Sequence, residues 1–292
     1  MIRIIYFIAI AICSFTFISC TDGTSTMKNE TTEETNLSEL KVMSFNVRNS
    51  AGDTDENKWD NRKEACLAMI NDVKPAIIGM QEVKPDQKTF FEDNLKDYIV
   101  FGEGRDSSTG TEHGSVCFRN DIFNLKSKGT FWLSETPDVM SKGWDGACYR
   151  ICTWAKLALK GSDKEIYFFN THLDHKGIEA RKQGFVLIKE KIEEIAGDNA
   201  FVILTGDFNM SPDNTNVTSF SAYMNNLRDQ FATEVDYNAP TFNNWGTAET
   251  IIDYIWYRNA NPITYKVINE PYKGVTYLSD HYAIMGVFEL PE

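Results

Sequence analysis

The chain has 292 residues, of which 42% are hydrophobic and 24% are charged, and its formal net charge is −13 at pH 7. This length and composition are typical of a globular protein with a sizeable core and argue against disorder over most of the chain. The negative charge disfavours a protein that coats nucleic acid, because such binding uses Lys and Arg to neutralise phosphates. A cleft that is locally positive or that carries a metal ion is compatible with this charge.

The N-terminus predicts export. Arg3 precedes an apolar stretch over residues 4–18, which is followed by Ser19, Cys20 and then polar residues. A Cys at this place favours a bacterial lipoprotein with a signal peptide 1–19, acylation of the Cys20 thiol and a flexible, acidic tether 20–39. We therefore expect membrane attachment on the periplasmic or cell-surface side. An ordinary cleaved signal and an uncleaved anchor are the alternatives.

Residues 40–292 are predicted to form one domain, because no linker rich in Pro, Gly or Ser divides them. Apolar runs and helical patterns alternate in two successive rounds. In chain order the predicted elements are strand 41–47, helix 61–73, strands 76–80, 115–118, 129–133, 151–159 and 165–171, helix 178–196, strand 201–205, helix 217–225, and strands 251–257, 263–268 and 282–288. This order predicts an α/β (α+β) four-layer sandwich, in which two packed mixed β-sheets are flanked by helices.

The two longer helices are predicted from apolar residues at three- and four-residue spacing. Asp60 is the predicted N-cap of the first, and Gly197 ends the second. The apolar faces consist of Ala65, Met69 and Val73 in the first helix and of Phe185, Ile188, Ile192 and Ile195 in the second.

Four cysteines follow the signal region: Cys66, Cys117, Cys148 and Cys152. Their spacings match neither a zinc ribbon nor a redox pair, and small buried thiols are the favoured interpretation. Export would permit disulfides, so a Cys148–Cys152 bond remains open.

Polar residues that can carry chemistry lie at the predicted strand ends and in the turns beside them. They are Asn46, Gln81, Glu82, Glu112, His172, Asp207, Asn209, Asp253, Asp280 and His281. No Ser or Cys has an obvious base partner, so an acyl-enzyme mechanism is poorly supported. Oxygen-rich sets of this kind suit Mg²⁺, and also Mn²⁺ or Ca²⁺. A zinc site at His172 and His175 is disfavoured, because alternation along a strand would turn them to opposite faces.

Six motifs occur in an order that resembles the endonuclease/exonuclease/phosphatase family of DNase I-like phosphoesterases, in particular secreted bacterial members. They are Ser44-Phe45-Asn46, Gln81-Glu82, Asn170-Thr171-His172-Leu173, Gly206-Asp207-Phe208-Asn209, Ile252-Asp253-Tyr254 and Ser279-Asp280-His281. The resemblance covers residues 40–290 and implies a DNase I-like fold.

For the metal site, the resemblance implies Glu82 as the main carboxylate ligand of Mg²⁺, with Asn46 and Asp280 contributing directly or through water. The ion would neutralise phosphate oxygens and the charge on the leaving oxygen.

For the chemical step, the resemblance implies that Asp207 orients or deprotonates the attacking water and that Asn209 donates to the phosphoryl group. Asp253 would hold His281 in the required tautomer, and the imidazolium would stabilise the transition state.

Outside these motifs, the resemblance pairs Glu112 with His172 and makes Arg150 a phosphate contact. Trp132 and Trp144 lie in a segment similar to secreted members, where they would form a substrate wall or pack in a half-buried position.

The sequence thus predicts a metal-dependent phosphodiesterase, active as a monomer on a nucleic acid, a lipid or a small phosphodiester by in-line attack of water. The alternatives are a phosphomonoesterase acting on sugar or inositol phosphates, and a binding protein on the same scaffold without catalytic activity.

Overall fold

A computed structural model describes residues 38–291 of the protein. The predicted signal peptide, the Cys20 lipidation site and nearly all of the tether lie outside the described residues. The elements are β1 (Glu39–Asn46), α1 (Trp59–Val73), β2 (Ile77–Val83), α2 (Pro85–Asn94), β3 (Tyr98–Phe101), β4 (His113–Arg119), β5 (Phe123–Trp132), β6 (Ile151–Leu159), β7 (Glu165–His172), α3 (Ile178–Ala196), β8 (Phe201–Asp207), α4 (Thr215–Phe220), β9 (Asn225–Asn226), α5 (Leu227–Phe231), α6 (Glu234–Asn238), β10 (Asp253–Arg258), β11 (Pro262–Ile268) and β12 (Ala283–Glu289).

The strands form two six-stranded sheets, with the orders β11-β12-β1-β2-β4-β3 and β5-β6-β7-β8-β10-β9. Each sheet is mixed, because one pair in each is parallel: β1 with β2 and β7 with β8. Within these pairs, β2 and β8 are buried along nearly their whole length and open with continuous apolar runs, as expected for parallel strands in the middle of a layered fold.

Three apolar clusters hold the layers together. One fills the space between the sheets, and the other two pack α1 and α2 against the first sheet and α3 and α4 against the second. The predicted four-layer α/β sandwich is therefore confirmed.

A belt of buried polar side chains also joins the two sheets. The Asn170 amide on β7 donates to the carbonyl oxygens of Met80 on β2 (2.8 Å) and Ser115 on β4 (3.0 Å), and its oxygen accepts from Gln81 (2.7 Å). Gly79 leaves room for this belt, since a Cβ there would lie 2.5 Å from the Asn170 oxygen. The motif residues Gln81 and Asn170 thus connect the sheets.

Several elements differ from the prediction. Helix α2 and strand β3 were not predicted, and β5 begins six residues earlier than expected, because its exposed polar residues conceal the alternation. Helix α1 begins at Trp59, and its N-terminus has no side-chain cap, so the predicted Asp60 cap is wrong. Asp60 instead forms a surface ion pair with Lys63.

All four cysteines of the domain are free, and the Cys148–Cys152 bond is not formed. The interpretation as small buried thiols is confirmed for Cys66, Cys117 and Cys152, whereas Cys148 is half-buried. Burial raises the pKa of the Cys66 thiol to about 12. Among residues 38–291, no helix has the length and apolar character needed to cross a bilayer.

Candidate active site

The site lies where the central strands of both sheets end. The parallel pair β1 and β2 brings Asn46 and Glu82 to one edge, and the pair β7 and β8 places His172 directly opposite Asp207. On the antiparallel side, Asp253 begins β10 in register with Asp207. The carboxyl ends of parallel strands commonly form ligand sites, and the sandwich here joins two such ends.

Glu82 has an unusual backbone. The pairing of β2 with β4 shifts register between Met80 and Val83, and Glu82 inside this bulge has φ 63°, in the left-handed region. For a residue other than Gly such a conformation costs about 1–2 kcal/mol. The bulge turns the Glu82 carboxylate toward Asn46, which donates to one oxygen at 3.1 Å, and toward Asn49, whose side chain donates to the other at 2.9 Å. Strain at this point therefore serves to aim a carboxylate.

Asp253 and His281 form a buried pair. The Nδ1 atom of His281 lies 2.8 Å from the Asp253 carboxylate, which fixes the ring and turns Nε2 into the site. There Nε2 lies 3.4 Å from the Asn46 amide and 3.7 Å from the Asp207 carboxylate. The predicted relation between Asp253 and His281 is thus present in the geometry.

The charges of this group depend strongly on one another. Burial lowers the pKa of His281, but the Asp253 charge and hydrogen bond outweigh it and raise this pKa to about 10. Burial and the neighbouring Asp253 raise the pKa of Asp207 to about 7. His281 is therefore a cation at neutral pH, whereas Asp207 is poised to exchange a proton.

Glu82, His172 and Asp207 bring ligand atoms within 4.8 Å of one another and could hold a metal ion. The His172 Nε2 atom lies 3.4 Å from Asp207. Burial and the nearby Arg150 lower the pKa of His172 well below its ordinary value, so the ring is neutral. For Glu82, the His281 charge and the N–H groups of Asn46 and Asn49 outweigh burial and lower its pKa, so this carboxylate is ionised and suited to a hard cation.

Asn46 and Asp280 have other partners at this edge. The Asn46 amide nitrogen faces Glu82 and Asp207 (3.0 Å), while its oxygen accepts the Arg48 N–H. The Asp280 carboxylate lies 3.5 Å from the Arg48 guanidinium. Both residues thus border the group that could hold a metal, where they can act through hydrogen bonds or water.

Asn209 follows β8 with φ 51°, and its backbone N–H donates to Asp207 at 2.9 Å. Its side-chain amide donates to the Leu173 carbonyl at 3.0 Å and lines the cleft. One of the two N–H bonds of this amide is thereby used, and the second is available to an oxygen in the cleft.

Glu112 does not form the predicted pair with His172 in the part of the chain that the structure describes. Its carboxylate forms an ion pair with Arg105 from the loop that connects β3 with β4. This loop is held by Trp132, whose indole N–H donates to the Arg105 carbonyl at 2.9 Å. Trp132 is buried and Trp144 is half-buried, and neither lines the cleft. Of the two alternatives for these residues, packing is therefore observed and the substrate wall is not.

Arg150 precedes β6 and is buried, with its Nε atom 3.6 Å from Asp174 and without a hydrogen bond. Its Nη2 atom lies 3.2 Å from the His175 Nδ1. His175 lines the same cleft as His172, so the prediction that they face opposite sides is wrong: β7 ends at His172, and strand alternation stops there.

Cys148 completes a second group of ligand types with Asp174 and His175. The Asp174 carboxylate, however, accepts the backbone N–H groups of Cys148 (3.0 Å) and Gly177 (2.7 Å). Asp174 therefore holds the loop before α3 in shape and faces the Arg150 guanidinium. These contacts account for the grouping of Cys148, Asp174 and His175 without a second metal site.

The resulting cleft has a volume of about 430 Å³. Five lining residues were not identified from the sequence: Arg48, Asn49, Arg105, Phe242 and Asn244. Arg48 and Asn49 closely follow Asn46 in the sequence, and this closeness to a motif residue could have indicated that they line the site. The other three come from loops whose paths the sequence pattern does not indicate.

Two packed mixed sheets with a carboxylate and imidazole cluster at their strand ends define a DNase I-like hydrolytic domain. Residues 43–281 match the model of the Endonuclease/Exonuclease/phosphatase family, and the chain belongs to this family of phosphoesterases. The resemblance of the six motifs to this family is thereby confirmed, whereas the finer likeness to secreted bacterial members stays a prediction. Members of the family are generally dependent on a divalent metal.

Solved structures from Bacteroides species share this fold. An endonuclease/exonuclease/phosphatase from Bacteroides vulgatus is 31% identical with a TM-score of 0.80, and the match covers 87% of this chain and 100% of that one. A mannosyl-6-phosphatase from Bacteroides thetaiotaomicron is 32% identical with a TM-score of 0.78, covering 85% and 98%. An uncharacterised protein of Acanthamoeba polyphaga mimivirus is 28% identical over 259 residues, which are 80% of this chain and 92% of that protein.

Proposed function

We propose that the protein is a Mg²⁺-dependent phosphoesterase that hydrolyses small phosphate esters by in-line attack of water. The observation that carries this proposal is the convergence, at one edge of the sandwich, of the ionised Glu82, the Asp207 carboxylate and the Asp253–His281 pair. Glu82, bordered by His172, Asn46 and Asp280, would hold the ion, which leaves the Asp207 carboxylate for the attacking water. Bound there, Mg²⁺ supplies charge that stabilises phosphoryl and leaving oxygens.

The protein side chains have complementary tasks. Asp207, whose carboxylate lies 3.7 Å from His281 Nε2, orients the attacking water and accepts its proton. Protonated His281, held by Asp253, donates from Nε2 to a phosphoryl oxygen, where negative charge accumulates in the transition state. The free N–H of Asn209 provides a further donor.

A phosphomonoester is the favoured substrate. Three guanidinium groups, those of Arg48, Arg105 and Arg150, line the cleft and suit the dianionic charge of a terminal phosphate. A cleft of about 430 Å³ matches a small molecule, and the net charge of −13 repels long polyanions. The similarity to a mannosyl-6-phosphatase supports a phosphorylated sugar.

A phosphodiester, the substrate preferred from the sequence motifs, is the second candidate. The exposed Asn244 and the half-buried Arg48 both line the cleft, and a second ester group would leave it on this solvent-accessible side.

A substrate screen tests this proposal. Phosphate release from mannose 6-phosphate, glucose 6-phosphate and inositol phosphates is compared with cleavage of bis(p-nitrophenyl) phosphate, RNA, DNA and sphingomyelin, each with Mg²⁺ and with EDTA. We expect Mg²⁺-dependent release from monoesters, and near-complete loss in Glu82→Gln and His281→Ala. Turnover that survives either substitution would remove the site assignment, and cleavage of diesters alone would select the second candidate.

For location, we propose export and acylation at Cys20, supported by the sequence of residues 1–20. We also propose that the enzyme acts as a monomer. Membrane fractionation of wild type and Cys20→Ser tests the anchor, because the variant should be released, and light scattering of residues 38–292 tests the oligomeric state.

A further inference from the structure

Arg62 on α1 is one of the largest fully buried side chains, with 1% of its surface exposed. Its guanidinium donates from Nε to the Asn57 carbonyl (2.9 Å), from Nη1 to the carbonyls of Val47 (2.5 Å) and Leu278 (2.9 Å), and from Nη2 to that of Arg48 (2.8 Å). The same Nη2 lies 3.6 Å from the Asp53 carboxylate. Each nitrogen of the fork therefore has a partner.

Aromatic rings enclose this guanidinium from two elements. The Arg62 Cζ atom lies 5.2 Å from the Trp59 ring centroid and 5.5 Å from that of Trp245. Trp245 belongs to the turn in which the backbone N–H groups of Asn243 and Asn244 both donate to the Asp280 carbonyl (2.8 and 3.0 Å). The guanidinium thus contacts three separate parts of the chain.

Two of these parts carry the site. The segment 46–49 contains the carbonyls of Val47 and Arg48, and the segment 278–281 begins with Leu278 and ends with His281. The hydroxyl of Ser279 donates to the Asn46 carbonyl at 2.7 Å and adds a direct link between the two segments. Arg62 spans both segments with one rigid group.

The first segment also holds Glu82. One Glu82 oxygen accepts from Asn46 and the other from Asn49, so a shift of segment 46–49 displaces both donors together. The second segment places Asp280 against Arg48 at 3.5 Å. The positions of the carboxylates therefore depend on backbone that Arg62 binds.

We propose that Arg62 is a positioning residue, which fixes segments 46–49 and 278–281 relative to each other so that Glu82 and Asp280 are preorganised for a divalent cation. Arg62 lies outside the cleft lining and binds both segments through their backbone carbonyls, with the Asp53 carboxylate as its charged side-chain partner. A planar fork with five N–H donors can bind this set of acceptors at once, whereas a lysine ammonium has three donors at one point. This inference rests on the proposed function for its catalytic consequence, but the cation-binding consequence can be measured separately.

The test uses Arg62→Lys, with Arg228→Lys as the matched control. Arg228 is also buried and lies over a ring, that of Tyr237, but its donors go to Asp229 and the Tyr237 carbonyl, neither of which lines the cleft. Binding of Mg²⁺ alone and of Mn²⁺ alone is measured by calorimetry on each folded protein. Circular dichroism and thermal melting report folding.

We expect Arg62→Lys to bind either cation at least tenfold more weakly than wild type, and kcat/KM at subsaturating Mg²⁺ to fall at least tenfold. Excess Mg²⁺ should restore part of kcat. Arg228→Lys should lower the melting temperature while leaving cation binding within twofold of wild type. Unchanged cation affinity in folded Arg62→Lys would overturn the proposal and leave Arg62 as a core residue.

If Arg62→Lys does not fold, Gln87→Met replaces it, because Gln87 Nε2 is the other donor to the Arg48 carbonyl, at 2.9 Å. Weaker cation binding by about threefold is then expected, and wild-type affinity would overturn the proposal. Absence of Mg²⁺-dependent hydrolysis in the wild type would instead contradict the proposed function, and the calorimetric comparison would still decide the role of Arg62.

Discussion

Replacing Asp253 with Asn tests how the His281 imidazole is charged and oriented. The two side chains are buried, and the Asp253 carboxylate lies 2.8 Å from His281 Nδ1. Asn keeps the size and an acceptor oxygen but removes the charge that raises the pKa of His281 to about 10 against the effect of burial. In Asp253→Asn the imidazole should therefore lose its proton at a lower pH.

The expected loss of rate follows from the hydrogen bond. A hydrogen bond to a charged group contributes about 1.5–3 kcal/mol, and neither partner here is exposed enough for water to screen it. If this stabilisation is expressed in the transition state, kcat falls roughly 10- to 160-fold. Because catalysis requires protonated His281, the loss should be larger at alkaline pH than at pH 6. Mg²⁺ affinity should change much less than kcat.

The assay is steady-state phosphate release at saturating Mg²⁺ between pH 6 and pH 9, using the fastest ester of the substrate screen. Asp163→Asn is the matched control, since its side chain is 91% exposed and is absent from the cleft lining. A variant with wild-type kcat and an unchanged alkaline limb would refute the role assigned to the Asp253–His281 pair.

Three further predictions concern the sheet junction, the cleft charge and substrate binding. Gly79→Ala should lower the free energy of unfolding in urea by about 1–3 kcal/mol, because the added Cβ would lie 2.1 Å from Thr205 Oγ1. The control Gly110→Ala, where the added Cβ meets open space, should change this free energy by less than about 0.5 kcal/mol. In the metal-free protein, the pKa of Asp207 is raised from 3.8 to about 7, so the stability that its protonated form contributes is complete below pH 3.8 and is lost as the pH rises through 7. Asp207→Asn should therefore show a smaller fall in the free energy of unfolding over this pH range, and an equal fall in both proteins would contradict the assignment. Arg150→Lys should lower kcat/KM roughly tenfold or more, mainly by raising KM, because an ammonium cannot make the paired hydrogen bonds of a guanidinium to two phosphate oxygens. An unchanged KM would show that the phosphate binds away from Arg150.

Residues at the ends of central strands were predictable from the sequence for a simple reason. The apolar runs identify strands buried on both faces, and polar residues that directly follow such runs reach the edge of the sheet. Asn46, Glu82, His172 and Asp207 follow this rule, and the two parallel pairs bring them together. Asp253 and His281 were identified in the same way beside antiparallel strands, and the resemblance of the six motifs added the pairing between them.

Other parts of the site depend on backbone that no periodicity reveals. Arg48, Glu82 and Asn209 all have positive φ, with values of 54°, 63° and 51°, so strand alternation cannot predict the direction of their side chains. Arg105 enters the cleft from the β3–β4 loop and forms an ion pair with the Glu112 carboxylate, which was expected to pair with His172. Arg105 and Glu112 form their ion pair only because the folded loop brings them together, and the sequence pattern does not show the path of that loop.

The charge distribution explains how an acidic protein can select an anionic substrate. Glu82, Asp207, Asp253 and Asp280 meet at one edge. Each of the three arginines that line the cleft already faces a carboxylate: Arg48 faces Asp280, Arg105 faces Glu112 and Arg150 faces Asp174. An anion therefore gains little from these arginines unless a divalent cation first takes part of the carboxylate charge. Cation and phosphate should consequently bind cooperatively, each lowering the electrostatic cost of the other. The negative surface outside the cleft opposes long polyanions at every other point of contact, so the same arrangement favours a phosphate carried by a small, otherwise neutral molecule.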